Sequence, residues 1–383
     1  MTDARNIITI HSKEEAELER ALEKRTDPEA ERIKRLLNIP DLSRTEGNPL
    51  HTLVDRILNI QRYSTFDIVE TPEIIGADLL FELFNYPPDH PERSPSNTYY
   101  IDEKHILRPM TTTMWHYHVN DSTVAEHIKN KESVGALSYG KVYRKDEIDR
   151  SHMNVFHQLD GWYLTPKEEK TMVIDDLKEV LAEIARALFG ADVAYRFNEE
   201  RFPYTDPSIE MEVQVRGRWI EVLGSGLVRS AVLKNLGVDP ERYNGWAYGF
   251  GLERLAIISM ELPDIRLLWS EDPRVKKQLK LGNTYKEVSK FPAITRDISF
   301  VVDKHFEPND YFDLIRDIGG DLVEEVTLLD KYEDSEKFGK EKVSYTYRIV
   351  YRSIERTLTT DEVDPIQDTI YKETARQFNA ELR

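Results

Sequence analysis

The chain has 383 residues and a formal net charge of −18, with 40% apolar residues and no cysteine. Its length suits two or three domains, and the lack of cysteine excludes disulfides, thiol catalysis and thiolate zinc sites. The acidic balance argues against a protein that coats nucleic acid through bulk electrostatics, although a local basic face would be enough to bind RNA.

The sequence carries no pattern typical of membrane insertion or export. No apolar run reaches the length of a membrane helix. The first residues are rich in both acids and bases, unlike a secretory signal or an acid-poor transit peptide. We therefore expect a cytoplasmic protein with no membrane partner.

The N-terminal residues 1–48 are predicted to form a helical extension. Residues 12–37 are dense in charged residues with sparse apolar positions, which predicts a solvated helical hairpin broken near Asp27 and Pro28. From Pro49 onward, apolar residues recur at helical spacing and predict an amphipathic helix.

A strand is then expected at residues 66–69, and a proline-rich ordered loop at residues 86–96. The central pattern is a hairpin at residues 140–162, with strand residues on either side of a polar loop. Because side chains alternate along a strand, a series of residues on its second strand shares one face: Phe156, Gln158 and Asp160.

That face is chemically mixed. An arginine at the end of the first strand, Arg144, suits a phosphate, and the ring of Phe156 suits a purine. The amide and carboxylate could receive an ammonium group. A nucleotide beside an amino acid would satisfy all four residues, whereas on this stretch alone an ordinary surface hairpin is the simpler interpretation.

Downstream, a helix is predicted at residues 165–189, and alternating residues from Ser208 predict a strand paired with the one that carries Glu221. Acidic residues on such a face are usually solvated. A glycine-rich run then precedes a helix that contains Arg254, where close backbone approach and the helix N-terminus favour anions.

The C-terminal residues follow the order β-α-β-β-α, which predicts a ferredoxin-like sandwich. The predicted boundaries are an N-terminal extension (1–48), a central domain (49–273), a linker (274–288) and the C-terminal domain (289–383). Separate cores joined by a linker predict that the activity of the central domain survives removal of the C-terminal domain.

Three motifs occur in one order. R-x-D followed by H-x-x-x-F-H-Q-L-D-G resembles motif 2 of class II aminoacyl-tRNA synthetases, in the version of phenylalanyl-tRNA synthetases. The helix and strand after Pro49 resemble motif 1, and G-x-G-x-E-R-L resembles motif 3. The C-terminal domain is similar to the anticodon-binding domain of organellar, single-chain members.

This resemblance implies an α+β fold, with a class II antiparallel sheet core flanked by helices and a C-terminal ferredoxin-like α/β sandwich. It implies ATP-dependent activation of phenylalanine or a related aromatic amino acid, with Mg²⁺, and transfer of the acyl group to tRNA by a monomer or small homo-oligomer. Catalysis would rest on positioning and charge neutralisation.

The resemblance also assigns residues. Catalysis and ATP binding fall to Arg144 and Arg254, with further ATP contacts from Asp146, His152, Phe156 and Glu221, the last also the metal ligand. The amino acid would contact Thr112, Gln158, Asp160, Phe202, Tyr204 and Ala247. A basic face for tRNA would comprise Lys290, Arg296, Arg348, Arg352 and Arg356.

The sequence departs from the family around the amino acid. Met110 stands where the family has histidine, Thr112 where it has serine, and Asp160 where most members have glutamate. Tyr204 replaces the second phenylalanine of F-P-F-T. Two alternatives therefore stay open: a paralogue that activates another amino acid or charges another acceptor, and a non-catalytic protein that binds an amino acid or RNA.

Overall fold

A computed structural model describes residues 5–287, 291–334, 337–339 and 341–383. Contacts divide this part of the chain into two compact units. The first comprises the residues up to Tyr143, Val155–Glu261 and Lys280–Asn283. The second comprises Arg144–Asn154, Leu262–Leu279 and Thr284–Arg383.

The first unit is built on a broad sheet. Its strands are β1 (Ile7–Thr9), β2 (Asp67–Glu70), β3 (Ile74–Gly76), β4 (His105–Leu107), β5 (Val134–Tyr143), β6 (Val155–Pro166), β7 (Tyr195–Glu200), β8 (Thr205–Val215), β9 (Arg218–Val228) and β10 (Tyr243–Gly251). Eight of them form one sheet in the order β1-β2-β5-β6-β10-β9-β8-β7, and β3 pairs with β4. The sheet is antiparallel except that β2 runs parallel to β1 and β5, so it is mixed rather than wholly antiparallel as expected.

Helices flank this sheet. They are α1 (Lys13–Glu23), α2 (Pro28–Leu37), α3 (Pro49–Leu58), α4 (Ala77–Phe81), α5 (Met114–Asn120), α6 (Ser122–Lys129), α7 (Ile174–Phe189), α8 (Ser230–Asn235) and α9 (Leu252–Met260). The helix predicted from residue 165 begins only at Ile174, because β6 continues to Pro166. α3 begins at Pro49 as predicted, and it packs against α7 and α9.

The N-terminal hairpin breaks where predicted, with Asp27 capping α2 before Pro28. It is not simply solvated, however. Ile33 and Leu36 of α2 are buried in a cluster that includes Tyr143 at the end of β5. The sparse apolar positions are therefore the side on which the extension packs onto the central hairpin.

The second unit contains α10 (Pro273–Lys276), β11 (Ile294–Asp303), α11 (Pro308–Gly319), β12 (Val323–Tyr332), β13 (Lys342–Tyr351), α12 (Thr360–Gln377) and β14 (Glu381–Leu382). The predicted order β-α-β-β-α is present, followed by the short β14. The strands form an antiparallel sheet in the order β12-β13-β11-β14. α10 begins one residue before the predicted linker and extends into it, and its Val275 is buried.

The hairpin loop Arg144–Asn154 belongs to this second unit, which differs from the predicted division of the chain. Ile148 of the loop is buried in the hydrophobic cluster of the C-terminal sandwich. Lys145 Nζ lies 2.9 Å from Asp310 Oδ1, and Arg150 Nη2 lies 2.6 Å from Glu324 Oε1. Sequence gave no signal for these pairs, because their members are more than 150 residues apart.

Candidate active site

Strand β6 presents Phe156, Gln158 and Asp160 on one face, as their alternation predicts. Small residues of the neighbouring strands lie opposite this row. Ser138 and Gly140 of β5 and Gly249 and Gly251 of β10 pair with Asp160 and Gln158, and we call these four residues the small-residue floor. Because they have little or no side chain, the side chains of β6 can occupy the space over the neighbouring strands, as Asp160 does over Gly249.

The two β10 glycines of the small-residue floor differ in the space that a side chain would find there. A Cβ on Gly249 would lie 2.3 Å from Asp160 Oδ1, far inside van der Waals contact. A Cβ on Gly251 would meet nothing within 4 Å. The aspartate therefore leans over Gly249, while the surface above Gly251 is open.

A short turn at residues 111–113 lies against Gln158 and Asp160. The Thr112 hydroxyl donates a hydrogen bond to Asp160 Oδ2, and the Thr111 backbone N–H donates to Gln158 Oε1 at 3.3 Å. Asp160 is only 2% exposed, so a cation placed there would interact through little water. Met110, just before the turn, is buried, and the Tyr86 hydroxyl lies 3.9 Å from its sulfur.

Tyr204 lies within a group of aromatic rings. It stacks on Phe202, with ring centroids 5.8 Å apart, and meets Trp115 and Phe84 edge-on at 6.1 Å and 5.9 Å. Phe202 in turn covers Gly224, where a Cβ would come within 2.7 Å of the ring. Phe202 and Tyr204 thus lie side by side within one group of aromatic rings.

Sequence reasoning missed Trp115 and Phe84, which come from helix α5 and the segment after α4. Trp115 stacks on Trp162 of β6 at 5.2 Å. Neither residue belongs to a motif, and an isolated aromatic residue in a sequence is more often core than ligand contact. Ala247, the remaining predicted pocket residue, is buried opposite Trp162 on β10.

Arg254 and Glu221 lie together at the exposed side of the first unit. Arg254 Nη1 is 3.4 Å from Glu221 Oε1, and both side chains are about half exposed, at 50% and 49%. Such an exposed ion pair contributes little to stability, so the arginine can readily bind a phosphate instead and the glutamate a cation. Within the described ranges, no cluster of three or more potential metal ligands occurs.

Arg144, Asp146 and His152 belong to the loop of the second unit. The Arg144 backbone N–H donates to the Asn154 carbonyl at 3.1 Å, which closes the loop at its base. His152 is exposed, and its Nδ1 lies 2.8 Å from Asp149 Oδ2. The other predicted ATP and amino-acid ligands belong to the first unit, whereas these three residues belong to the second.

The predicted tRNA-binding arginines all have carboxylate partners within the second unit. Their pairs are Arg296–Asp364, Arg348–Asp297, Arg352–Glu324 and Arg356–Glu362. The hydrogen bond from Arg356 lowers the pKa of Glu362 to about 2. Lys290 lies outside the described residues. RNA phosphates would therefore have to displace these carboxylates, which sequence reasoning did not anticipate.

Comparisons with known proteins agree with this architecture. Residues 35–279 match the family of tRNA synthetases class II core domain (F), and residues 289–383 match the ferredoxin-fold anticodon binding domain. The fold is that of a class II aminoacyl-tRNA synthetase. Sequence identity to individual relatives shows which family within this class the chain belongs to.

The chain is 39% identical to the chloroplastic/mitochondrial phenylalanine–tRNA ligase of Arabidopsis thaliana, over 90% of this chain and 82% of that protein. It is 34% identical to the mitochondrial enzyme of Mus musculus, over 84% and 76%, and 32% identical to that of Saccharomyces cerevisiae, over 94% and 93%. The chain belongs to the phenylalanine–tRNA ligase family.

The predicted family, α+β fold class and enzyme class are therefore confirmed. The chain is an aminoacyl-tRNA ligase with tRNA as its partner, and these relatives give no support to the regulatory or paralogue alternatives. The predicted cytoplasmic location is wrong, because the relatives named above are mitochondrial or chloroplastic enzymes. None of the helices in the described ranges is long and apolar enough to cross a bilayer.

Proposed function

We propose that the chain uses ATP and Mg²⁺ to convert phenylalanine to phenylalanyl-adenylate, and then transfers the acyl group to the terminal ribose of tRNA. The observation that carries this proposal is the row Phe156, Gln158 and Asp160 above the small-residue floor. An aromatic ring, an amide and a buried carboxylate follow one another at strand spacing. This order suits adenine at one end and an ammonium group at the other.

On the amino-acid side, Asp160 and Gln158 accept the α-ammonium group. The Thr112 hydroxyl donates to one oxygen of Asp160, which fixes the carboxylate and leaves acceptor capacity for the substrate. Phe202, Tyr204 and Ala247 form the wall around the phenyl ring, where edge-on and offset contacts favour an aromatic side chain. Met110 stands where the family has histidine and its thioether is only a weak acceptor, so on this side the Asp160 carboxylate is the main acceptor for the ammonium group.

On the nucleotide side, Arg144 neutralises charge that develops on the α-phosphate during attack by the amino-acid carboxylate. Arg254 holds the terminal phosphates, Phe156 stacks on adenine, and His152 and Asp146 cover the base. These residues work by orientation and electrostatics, since adenylate formation requires no side-chain nucleophile.

Magnesium fits this site through a single protein carboxylate. Mg²⁺ is often bound by one or two carboxylates together with substrate phosphates and water, and Glu221 is exposed beside Arg254. When bound, the ion would neutralise charge on the phosphates. The half-exposed Glu221 can turn from Arg254 to the ion at small cost, because an exposed ion pair is worth ~0–1 kcal/mol.

The proposed domains are the extension at 1–48, the catalytic domain at 49–273, the linker at 274–288 and the anticodon-binding domain at 289–383. Arg296, Arg348, Arg352 and Arg356, with Lys290, are the proposed tRNA contacts of the last domain. The organellar relatives support an organellar location rather than a cytoplasmic one. A single chain that carries both domains suits a monomer or small homo-oligomer.

ATP–pyrophosphate exchange, measured separately with each amino acid, tests the proposal. We expect exchange with phenylalanine, and much weaker exchange with tyrosine because the wall of rings leaves a para-hydroxyl without water. Exchange that depends on a different amino acid would refute the proposed substrate, and exchange with none would refute activation. Arg144→Ala serves as the inactive control.

A further inference from the structure

A buried histidine and glutamate lie directly beside the proposed nucleotide contacts. His157 follows Phe156 on β6, and Glu253 precedes Arg254 on α9. Their side chains are 0% and 3% exposed. His157 Nδ1 lies 2.6 Å from Glu253 Oε1, and the His157 backbone N–H donates to both carboxylate oxygens at 2.9 Å.

Glu253 lies beside β6 because strand β10 ends two residues earlier, at Gly251. This strand pairs with β6 as far as Gly251 opposite Gln158, and the chain then turns into α9 at Leu252. The next donor of β6, the His157 backbone N–H, therefore has no strand residue opposite. The carboxylate of Glu253 takes the place of a strand carbonyl and continues the hydrogen bonding from the helix.

The other ring nitrogen is held by the N-terminal extension. The Leu42 backbone N–H donates to His157 Nε2 at 2.9 Å. Since Nε2 accepts this hydrogen bond, the proton is on Nδ1 and is donated to Glu253. Asp41 Oδ1 is the more distant neighbour of Nε2, at 3.3 Å. One imidazole thus joins β6, α9 and the segment before α3.

We propose that His157 and Glu253 are positioning residues for ATP, an inference that rests on the nucleotide assignments above. Phe156 and Arg254 are assigned to opposite ends of one ATP molecule, so the spacing between β6 and the first turn of α9 must match its length. The His157–Glu253 contacts fix that spacing through the residues adjacent in sequence. They are buried and do not touch the substrate themselves.

The proposal explains a further group of contacts from the extension. Lys141 Nζ, on β5 opposite His157, donates to the Leu37 and Ile39 carbonyls at 2.7 Å and 2.9 Å. Together with the Leu42 N–H, these bonds hold residues 37–42 against the hairpin that carries Phe156. The extension therefore helps to order the nucleotide site as well as covering apolar surface.

Two substitutions at the same position separate this role from simple core stability. The amide of His157→Asn reaches about as far as Nδ1 and can still donate to Glu253. The amide of His157→Gln reaches about as far as Nε2, so it keeps the acceptor for Leu42 and loses the donor to Glu253. Glu253→Gln keeps one oxygen that can accept from the Nδ1–H, but it replaces the other carboxylate oxygen with an NH2 group that cannot accept from the His157 backbone N–H, and it removes the charge, so it weakens the same set of contacts independently.

The KM for ATP and the KM for phenylalanine are measured by pyrophosphate exchange, alongside the thermal unfolding midpoint. For His157→Gln and Glu253→Gln we expect the KM for ATP to rise about tenfold, equivalent to ~1.4 kcal/mol, with the KM for phenylalanine changed by less than about twofold. His157→Asn should restore most of the ATP effect. His118→Asn, whose shorter amide reaches only the Nδ1 position and so loses the Nε2 contact with Asp67 in the same unit, should lower the unfolding midpoint without this selective change.

A uniform loss of stability with unchanged KM values, or an equal change in both KM values, would overturn the positioning role. Equal behaviour of His157→Asn and His157→Gln would do the same, and this comparison remains available if Glu253→Gln does not fold. Failure of the proposed function is distinguishable, because the unmodified chain would then show no exchange at all.

Discussion

Gly249→Ala is the smallest change that should displace the proposed ammonium ligand. The new Cβ would lie 2.3 Å from Asp160 Oδ1 and 2.9 Å from its Cγ, so the carboxylate must rotate away and weaken its bond from Thr112. Overpacking of this kind costs about 1–3 kcal/mol. If that loss falls on substrate binding, kcat/KM for phenylalanine should drop about 5- to 150-fold, because each 1.4 kcal/mol is tenfold.

The assay is pyrophosphate exchange with either substrate varied. The KM for phenylalanine should carry the effect, since Asp160 contacts the amino acid, and the KM for ATP should change little. Gly251→Ala is the comparison two residues along the same strand: because its Cβ would meet nothing within 4 Å, the KM for phenylalanine should change far less than in Gly249→Ala. Equal KM values for phenylalanine in Gly249→Ala and the unmodified chain would refute the role given to Asp160.

Three further predictions concern other parts of the site. Arg144→Ala should lower the rate of adenylate formation about 10²–10³-fold with an unchanged circular dichroism spectrum, since it removes a donor to developing charge; near-normal exchange would exclude this role. Tyr204→Phe should keep or improve phenylalanine activation and admit para-substituted rings, whereas complete loss of activation with ATP binding intact would mean that the hydroxyl recognises a different substrate. Removal of all residues after Lys286 should abolish tRNA charging and also lower exchange, because Lys145 loses Asp310; full exchange activity would show that the loop orders itself.

This last expectation reverses the one drawn from sequence, and the reason is physical. Alternation along β6 is local, so the shared face of Phe156, Gln158 and Asp160 could be predicted from five consecutive residues. The partners of Lys145 and Ile148 lie far along the chain and follow from tertiary packing alone. From the sequence, loop 144–154 can be recognised as polar, but its packing in the second unit cannot be predicted.

Tertiary contacts also decided two other features that the sequence did not show, namely the aromatic group around Tyr204 and the pairing of the C-terminal arginines. Phe202 and Tyr204 were predicted from a family pattern, but Trp115 reaches them only because α5 packs over the sheet. Arg348 was predicted as a tRNA contact from its charge, and the structure gives it Asp297, whose pKa is lowered chiefly by that hydrogen bond. Composition shows which charges are present and does not show which are already paired.

The central claim, that this chain charges tRNA with phenylalanine, is tested most directly by identifying the ester that it makes. The full-length chain is incubated with ATP, Mg²⁺, all twenty amino acids at equal concentration and total tRNA, and the acyl group released from the tRNA is identified by mass spectrometry. The account predicts phenylalanine as the dominant acyl group, attached to a tRNA with a phenylalanine anticodon, and its loss with Arg144→Ala. A different amino acid on the tRNA, or acylation that persists in that variant, would contradict it.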